Sequence, residues 1–192
     1  MNYKHIFSKI QQSLPIDNSI VSSLYTLAVN SQLTALIFVV LVATFLYPEL
    51  SYSIVIWGSI LFAFTLFRLY SIYLFKTSYQ MYSVETWYTI FMILSLSTAA
   101  MISLLGTVYI HYLSDYYQLF VVAILVASAS VSTTSLSSDF RIAIAYISII
   151  LLPLIVSTMM IHFILSILLT LFFMSQIFMI LNNHKHCLLY TS

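Results

Sequence analysis

The sequence predicts an all-α fold: an integral membrane bundle of six transmembrane helices with both termini in the cytoplasm. Three observations lead there. The 192 residues are 62% hydrophobic and 6% charged, with mean hydropathy +1.06, whereas about a quarter of the residues of a soluble domain carry charge. Two glycines and three prolines leave little for long loops, and at about 20 residues per span the length holds roughly six helices. Six spans also put Lys4, Lys9, Arg68, Lys76, Arg141 and Lys185 on one side, leaving Glu49, His111, Asp115 and His162 for the other. By the positive-inside rule the first side is cytoplasmic, and a shift of one span would scatter the charges. Helical spans satisfy their backbone groups internally, and the alternation of a membrane β-barrel is absent.

The elements follow in order. In 1–16, MNYKHIFSKIQQSLPI, Ile6, Phe7, Ile10 and Leu14 fall to one side and Lys4, Lys9, Gln11 and Gln12 largely to the other. This is the pattern of an amphipathic interfacial leader, or of a basic lead-in that only sets topology. The membrane domain occupies 17–183. Asp17, Asn18 or Ser19 caps a first span that runs through VSSLYTLAVNSQLTALIFVVLVATFLY to Pro48. It exceeds one bilayer thickness, so its first turns are expected to project. The second span, 52–75, is aromatic-rich and carries Arg68. The third, 84–110, starts behind Ser83. The fourth, 116–135, starts behind Asp115, with Gln118 placed as in a capping box. The fifth is 139–161 and the sixth 162–181. Residues 184–186 begin a linker to a cytoplasmic domain. Cys187 to Ser192 can be encoded TGT CTC TTA TAC ACA TCT, the end sequence of a transposase used in preparing DNA sequencing libraries. Residues 187–192 are therefore expected to be an adapter artefact on a fragment, the alternative being a genuine short polar terminus. The single cysteine lies in this tail, so no disulfide framework or cysteine metal site is expected.

The fourth span stands apart, because VVAILVASASVSTTSLSSDF carries small and hydroxyl residues where the others carry Leu, Ile and Phe. Ser128, Ser130, Ser132, Thr134 and Ser135 form a face that lets helices approach closely in lipid. The span is expected at the centre of the bundle or at a subunit contact, and its hydroxyls either serve packing or line a polar ligand pocket. Pro153, mid-span in the fifth helix, removes a backbone donor. It makes either a signalling hinge or a packing bend, its freed carbonyls being met by hydroxyls of a neighbouring span. Arg68 is the one ionisable residue inside a span, and its length lets it snorkel to the cytoplasmic interface, where Glu85 is a structural ion-pair partner. His111 and His162 lie on the outer side near Asp115 and Glu49, and nothing in the spacing demands that they meet.

Several function classes are excluded or disfavoured. Six basic against five acidic residues give no footprint for nucleic acid. There is no nucleophile motif, phosphate loop, haem-attachment motif or paired buried carboxylate, so neither an enzyme nor a cofactor is expected in this chain. No internal repeat or matched pair of broken helices suggests an inverted-repeat transporter. No cleavable signal peptide is present.

The order of features resembles the six-span N-terminal sensor regions of bacterial sensor histidine kinases and GGDEF diguanylate cyclases. The similar features are the polar leader into VSSLYTLAVNSQLTALIFVV, Arg68 late in the second span, and Trp87 opening the third. The small-residue segment ASASVSTTSLSSDFR, AYISIILLPLIVS with its mid-helix proline, and a sixth span leaving through LNNHKH complete them. The third span departs from the pattern, with Leu105-Gly106 in place of a Trp-Gly pair. The resemblance implies a homodimer in the bacterial inner membrane that relays a signal through the sixth helix to a cytoplasmic kinase or cyclase domain. Its ligand is unspecified, and the fourth and fifth spans would carry the bistability. The alternative is a complete small multi-pass protein, a permease subunit or assembly factor.

Overall fold

The computed structural model describes residues 18–136 and 138–189. The leader over 1–16 and the last residues of the tail lie outside the described residues, and with them the expected interfacial helix. The described chain is helical throughout, 93% helix and without strands. Six helices run α1 (Asn18–Leu50), α2 (Tyr52–Thr77), α3 (Val84–Thr107), α4 (Asp115–Ser135), α5 (Phe140–Ile161) and α6 (Phe163–Leu189), with short 3₁₀ turns at Tyr79–Met81 and Tyr109–Tyr112. All six are long and apolar enough to cross a membrane.

Local chemistry sets most of the boundaries. Ser83 caps α3 by accepting the Thr86 amide at 3.3 Å. Asp139 caps α5, its Oδ1 accepting the amides of Arg141 at 2.8 Å and Ile142 at 3.4 Å. His162 breaks the chain between α5 and α6. Two expectations need correction. Asp115 is the first residue of α4 rather than its cap; Ser114 holds that position, and Gln118 turns back to donate to the Leu113 carbonyl at 2.8 Å. The first helix does not stop at Pro48. It runs to Leu50 and ends at Ser51, whose φ of 50° lies in the left-handed region, disfavoured for a side chain other than glycine.

At 33 residues, α1 is about 50 Å long, well beyond an apolar core of roughly 30 Å. Its first turns pack rather than stand free. Tyr25 is buried in a ring cluster, stacked on Phe75 at 4.0 Å and edge-on to Trp87 at 5.9 Å. Its hydroxyl donates to the Trp87 carbonyl at 3.1 Å. Beside it, the Ser23 and Ser138 hydroxyls meet at 2.8 Å. At the opposite end the Ser114 hydroxyl donates to Glu49 at 3.2 Å and Tyr109 to the Ser53 carbonyl at 3.2 Å.

The central helix is α3, not the small-residue α4. More of the third span is buried than of any other, the fourth included. Packing of α3 on α5 explains this: Gly106 lies so close to both neighbours that a Cβ there would come within 2.8 Å of Leu125 and of Leu154. The tight contact of α3 with both neighbours at this level thus falls at a glycine on α3 and not at the small residues of α4. The outermost helix is α6, the least buried of the six. It continues without interruption through 184–186 to Leu189.

Candidate functional site

Arg68 sits on the buried face of α2 with Leu61, Thr65, Ile72 and Phe75, a helical spacing that points toward α3. It lies about 14 Å along the helix from Thr77 and is 5% exposed. It therefore does not snorkel. Nor does it pair with Glu85, which is exposed on the first turn of α3. Its Nη2 donates instead to the buried Ser95 hydroxyl at 2.7 Å, and the guanidinium carbon lies 5.2 Å from the Phe91 ring centre, within cation–π range. Nε has no hydrogen-bond partner among the described residues.

This guanidinium forms part of the lining of a cavity of about 170 Å³. The cavity opens where α1 and α4 separate. Gln32, Arg68, Thr98, Ile102 and Tyr146 are its buried lining, contributed by α1, α2, α3 and α5. Ser128, Ser132 and Ser135 of α4 line the facing wall, and Thr34, Ala127 and Val131 are exposed along the rim. Tyr146 faces Ser132 with its hydroxyl. Gln32 is 4% exposed, and its Oε1 accepts no hydrogen bond among the described residues.

The residues singled out from sequence divide accordingly. Ser128, Ser132 and Ser135 line the cavity. Ser130 and Thr134 do not; their hydroxyls donate within their own helix, to the carbonyls of Val126 at 3.0 Å and Val131 at 2.8 Å, which removes their need for partners across the bundle. Ser132 and Ser135 also back-bond, to Ser128 at 2.7 Å and Val131 at 3.1 Å. Pro153 lies within an uninterrupted α5. The cross-helix hydroxyl bond near it runs from Ser166 to the Ile155 carbonyl at 3.3 Å, beyond the proline rather than to the carbonyl the ring leaves without its helical donor. His111 and His162 sit in separate turns at the far end, and no cluster of three metal-ligating side chains forms among the described residues.

The sequence reading missed Gln32, Ser95, Thr98 and Tyr146. Gln32 had a signal, an amide in the middle of an apolar run. Ser95 and Thr98 repeat at helical spacing opposite Arg68, a signal that becomes specific only once the neighbouring helix is known.

Compared with known proteins, the chain matches no protein-family model, no curated protein and no solved structure. The fold and cavity define the class of protein by themselves: a six-helix bundle of membrane-spanning character around a buried cation that opens to one flank.

Proposed function

We propose that the chain is the membrane-embedded sensory domain of a bacterial signal-transduction protein. In this reading all six helices are inserted in the inner membrane. Both termini are cytoplasmic, because Lys76 and Arg141 share the end at which α1 begins, while the turns at the far end carry neither lysine nor arginine among the described residues. The domain acts as a homodimer and relays its state through α6 to a cytoplasmic histidine kinase or diguanylate cyclase domain.

The observation that carries the reading is the cavity at Arg68. It draws its walls from α1 through α5, so an occupant contacts most of the bundle at once, and differential contact with two bundle arrangements is what a signal requires. Continuous helix from α6 through 184–186 supplies an element able to transmit a rotation or shift.

The experiment is to read the native gene beyond codon 186 and assay the product. A helical linker followed by an H-box kinase or a GGDEF domain, with output altered by Arg68→Gln, is the expected result. An in-frame stop at that point overturns the reading in favour of a small multi-pass protein without an effector.

A further inference from the structure

We propose that the Arg68 cavity binds an anionic amphiphile drawn from the membrane. Its oxyanion, a carboxylate or phosphate, rests on the guanidinium, a neighbouring hydroxyl or amide N–H donates to Gln32, and its tail leaves between α1 and α4. This names a ligand class for the site proposed above and rests on that reading's membrane placement, not on its signalling.

Charge is the first argument. A guanidinium has five N–H donors and no acceptor. This one is 5% exposed, has Ser95 as its hydrogen-bond acceptor and leaves Nε unpartnered. It forms no ion pair with a carboxylate among the described residues, and an uncompensated buried cation is strongly unfavourable. An oxyanion supplies both the opposite charge and two acceptors in the geometry of the guanidinium fork.

Gln32 narrows the class. As it stands, its buried Oε1 has no donor among the described residues, and a hydroxyl or amide N–H on the ligand supplies one; with the amide turned over, its Nε2 donates to the oxyanion itself. A ligand with a donor close to its anionic group satisfies the amide as it stands. Access gives the rest. The exposed rim residues Thr34 and Val131 lie on the flank of the bundle, which faces hydrocarbon when the helices are inserted. An enclosed apolar void of about 150 Å³ accommodates a benzene-sized molecule, so this open-sided and partly polar cavity of about 170 Å³ takes a head group and leaves the tail outside.

The test uses the purified chain and follows its thermal unfolding midpoint. In maltoside detergent, 3-hydroxydodecanoate is titrated against the uncharged 1,3-dodecanediol; separately, phosphatidylglycerol nanodiscs are compared with phosphatidylcholine nanodiscs. A saturable rise with the hydroxy acid but not the diol identifies a free amphiphile. A rise confined to phosphatidylglycerol identifies a bilayer phospholipid. Either supports the oxyanion site, provided that Arg68→Gln and the cavity-filling Ser132→Leu abolish the response while Ser130→Leu, in the same turn of α4 but outside the cavity lining, retains it. A response preserved in both Arg68→Gln and Ser132→Leu, or no anion-dependent response in either format, overturns the proposal. Absence of binding together with an effector domain beyond codon 186 removes the ligand and leaves the sensor; binding with a stop codon there supports the site and removes the sensor.

Discussion

The Tyr25 hydroxyl donates to the Trp87 carbonyl at 3.1 Å across 62 positions of sequence, tying the first turns of α1 to the first turn of α3. The same ring stacks on Phe75 at 4.0 Å. One side chain thus holds three helices together at the end of the bundle where the described chain begins. The bond and the stack separate cleanly in mutants. Tyr25→Phe retains the ring contacts and loses the bond to the Trp87 carbonyl together with a long contact to the Ser71 hydroxyl at 3.5 Å, a cost of about 1 kcal/mol. Tyr25→Ala also removes the aromatic volume, for about 3–5 kcal/mol. Reversible unfolding in mixed detergent is expected to give that order, and equal losses would show that the ring contributes nothing.

Arg68 and Ser95 make an asymmetric pair. Removing the serine hydroxyl leaves a buried guanidinium without its 2.7 Å acceptor, and Ser95→Ala is expected to cost about 1.5–3 kcal/mol, as for hydrogen bonds to charged groups. Arg68→Met removes the charge along with its need for a partner, and substitutions of this kind are commonly neutral or stabilising. The expected result is a melting point lowered by Ser95→Ala and unchanged or raised by Arg68→Met. The reverse order would mean that the cation is already neutralised in the isolated protein.

Close packing at Gly106 allows a graded test. An added methyl meets the two leucine methyl groups at 2.8 Å, and these are the ends of side chains that can rotate. The helix-propensity gain of alanine over glycine, about 1 kcal/mol, offsets much of that strain. Gly106→Ala is therefore expected to be close to neutral, whereas Gly106→Val adds branching that those side chains cannot clear and costs at least 1–3 kcal/mol by overpacking. Thermal unfolding of the two variants side by side distinguishes this from a position that tolerates any residue.

Asp139 performs two tasks with two oxygens: Oδ1 caps α5, and Oδ2 accepts the Tyr88 hydroxyl at 2.7 Å. Asp139→Asn keeps a capping oxygen and a polar partner for Tyr88, so a small loss is expected. Asp139→Ala loses a cap, about 1 kcal/mol, and strands the phenol. A double-mutant cycle with Tyr88→Phe is expected to show coupling of about 0.5 kcal/mol or more. Additive losses would mean that the Tyr88 contact contributes nothing to stability.

The number and order of the helices were legible because apolar runs of 20 or more residues announce themselves, and because Ser83 carries capping chemistry in the local sequence. Packing was less legible. The hydroxyl-rich face of α4 suggested a central helix, but back-bonding satisfies Ser130 and Thr134 within their own turn, and the tight contact with both neighbours lies on α3, at Gly106. Arg68 was read by its nearness to a membrane edge; its burial beside Leu61, Thr65, Ile72 and Phe75 carries no sequence signal, because this span is apolar on every face. Tyr146 reaches the same cavity from α5, and no spacing within one helix can reveal a relation between four.

Orientation in the membrane offers a direct check on the proposed topology. Tyr82, exposed in the turn between α2 and α3, and Tyr112, exposed between α3 and α4, lie at opposite ends of the bundle. With Cys187 replaced by serine, Tyr112→Cys is expected to react with a membrane-impermeant maleimide in intact spheroplasts, and Tyr82→Cys only after lysis. The charges make the alternative costly. Inverting the bundle would translocate Lys76 and Arg141, opposing the Lys/Arg bias that sets orientation in short-looped proteins. Labelling of Tyr82→Cys before lysis would reverse the assignment of both termini, and any cytoplasmic partner of α6 would be lost with it.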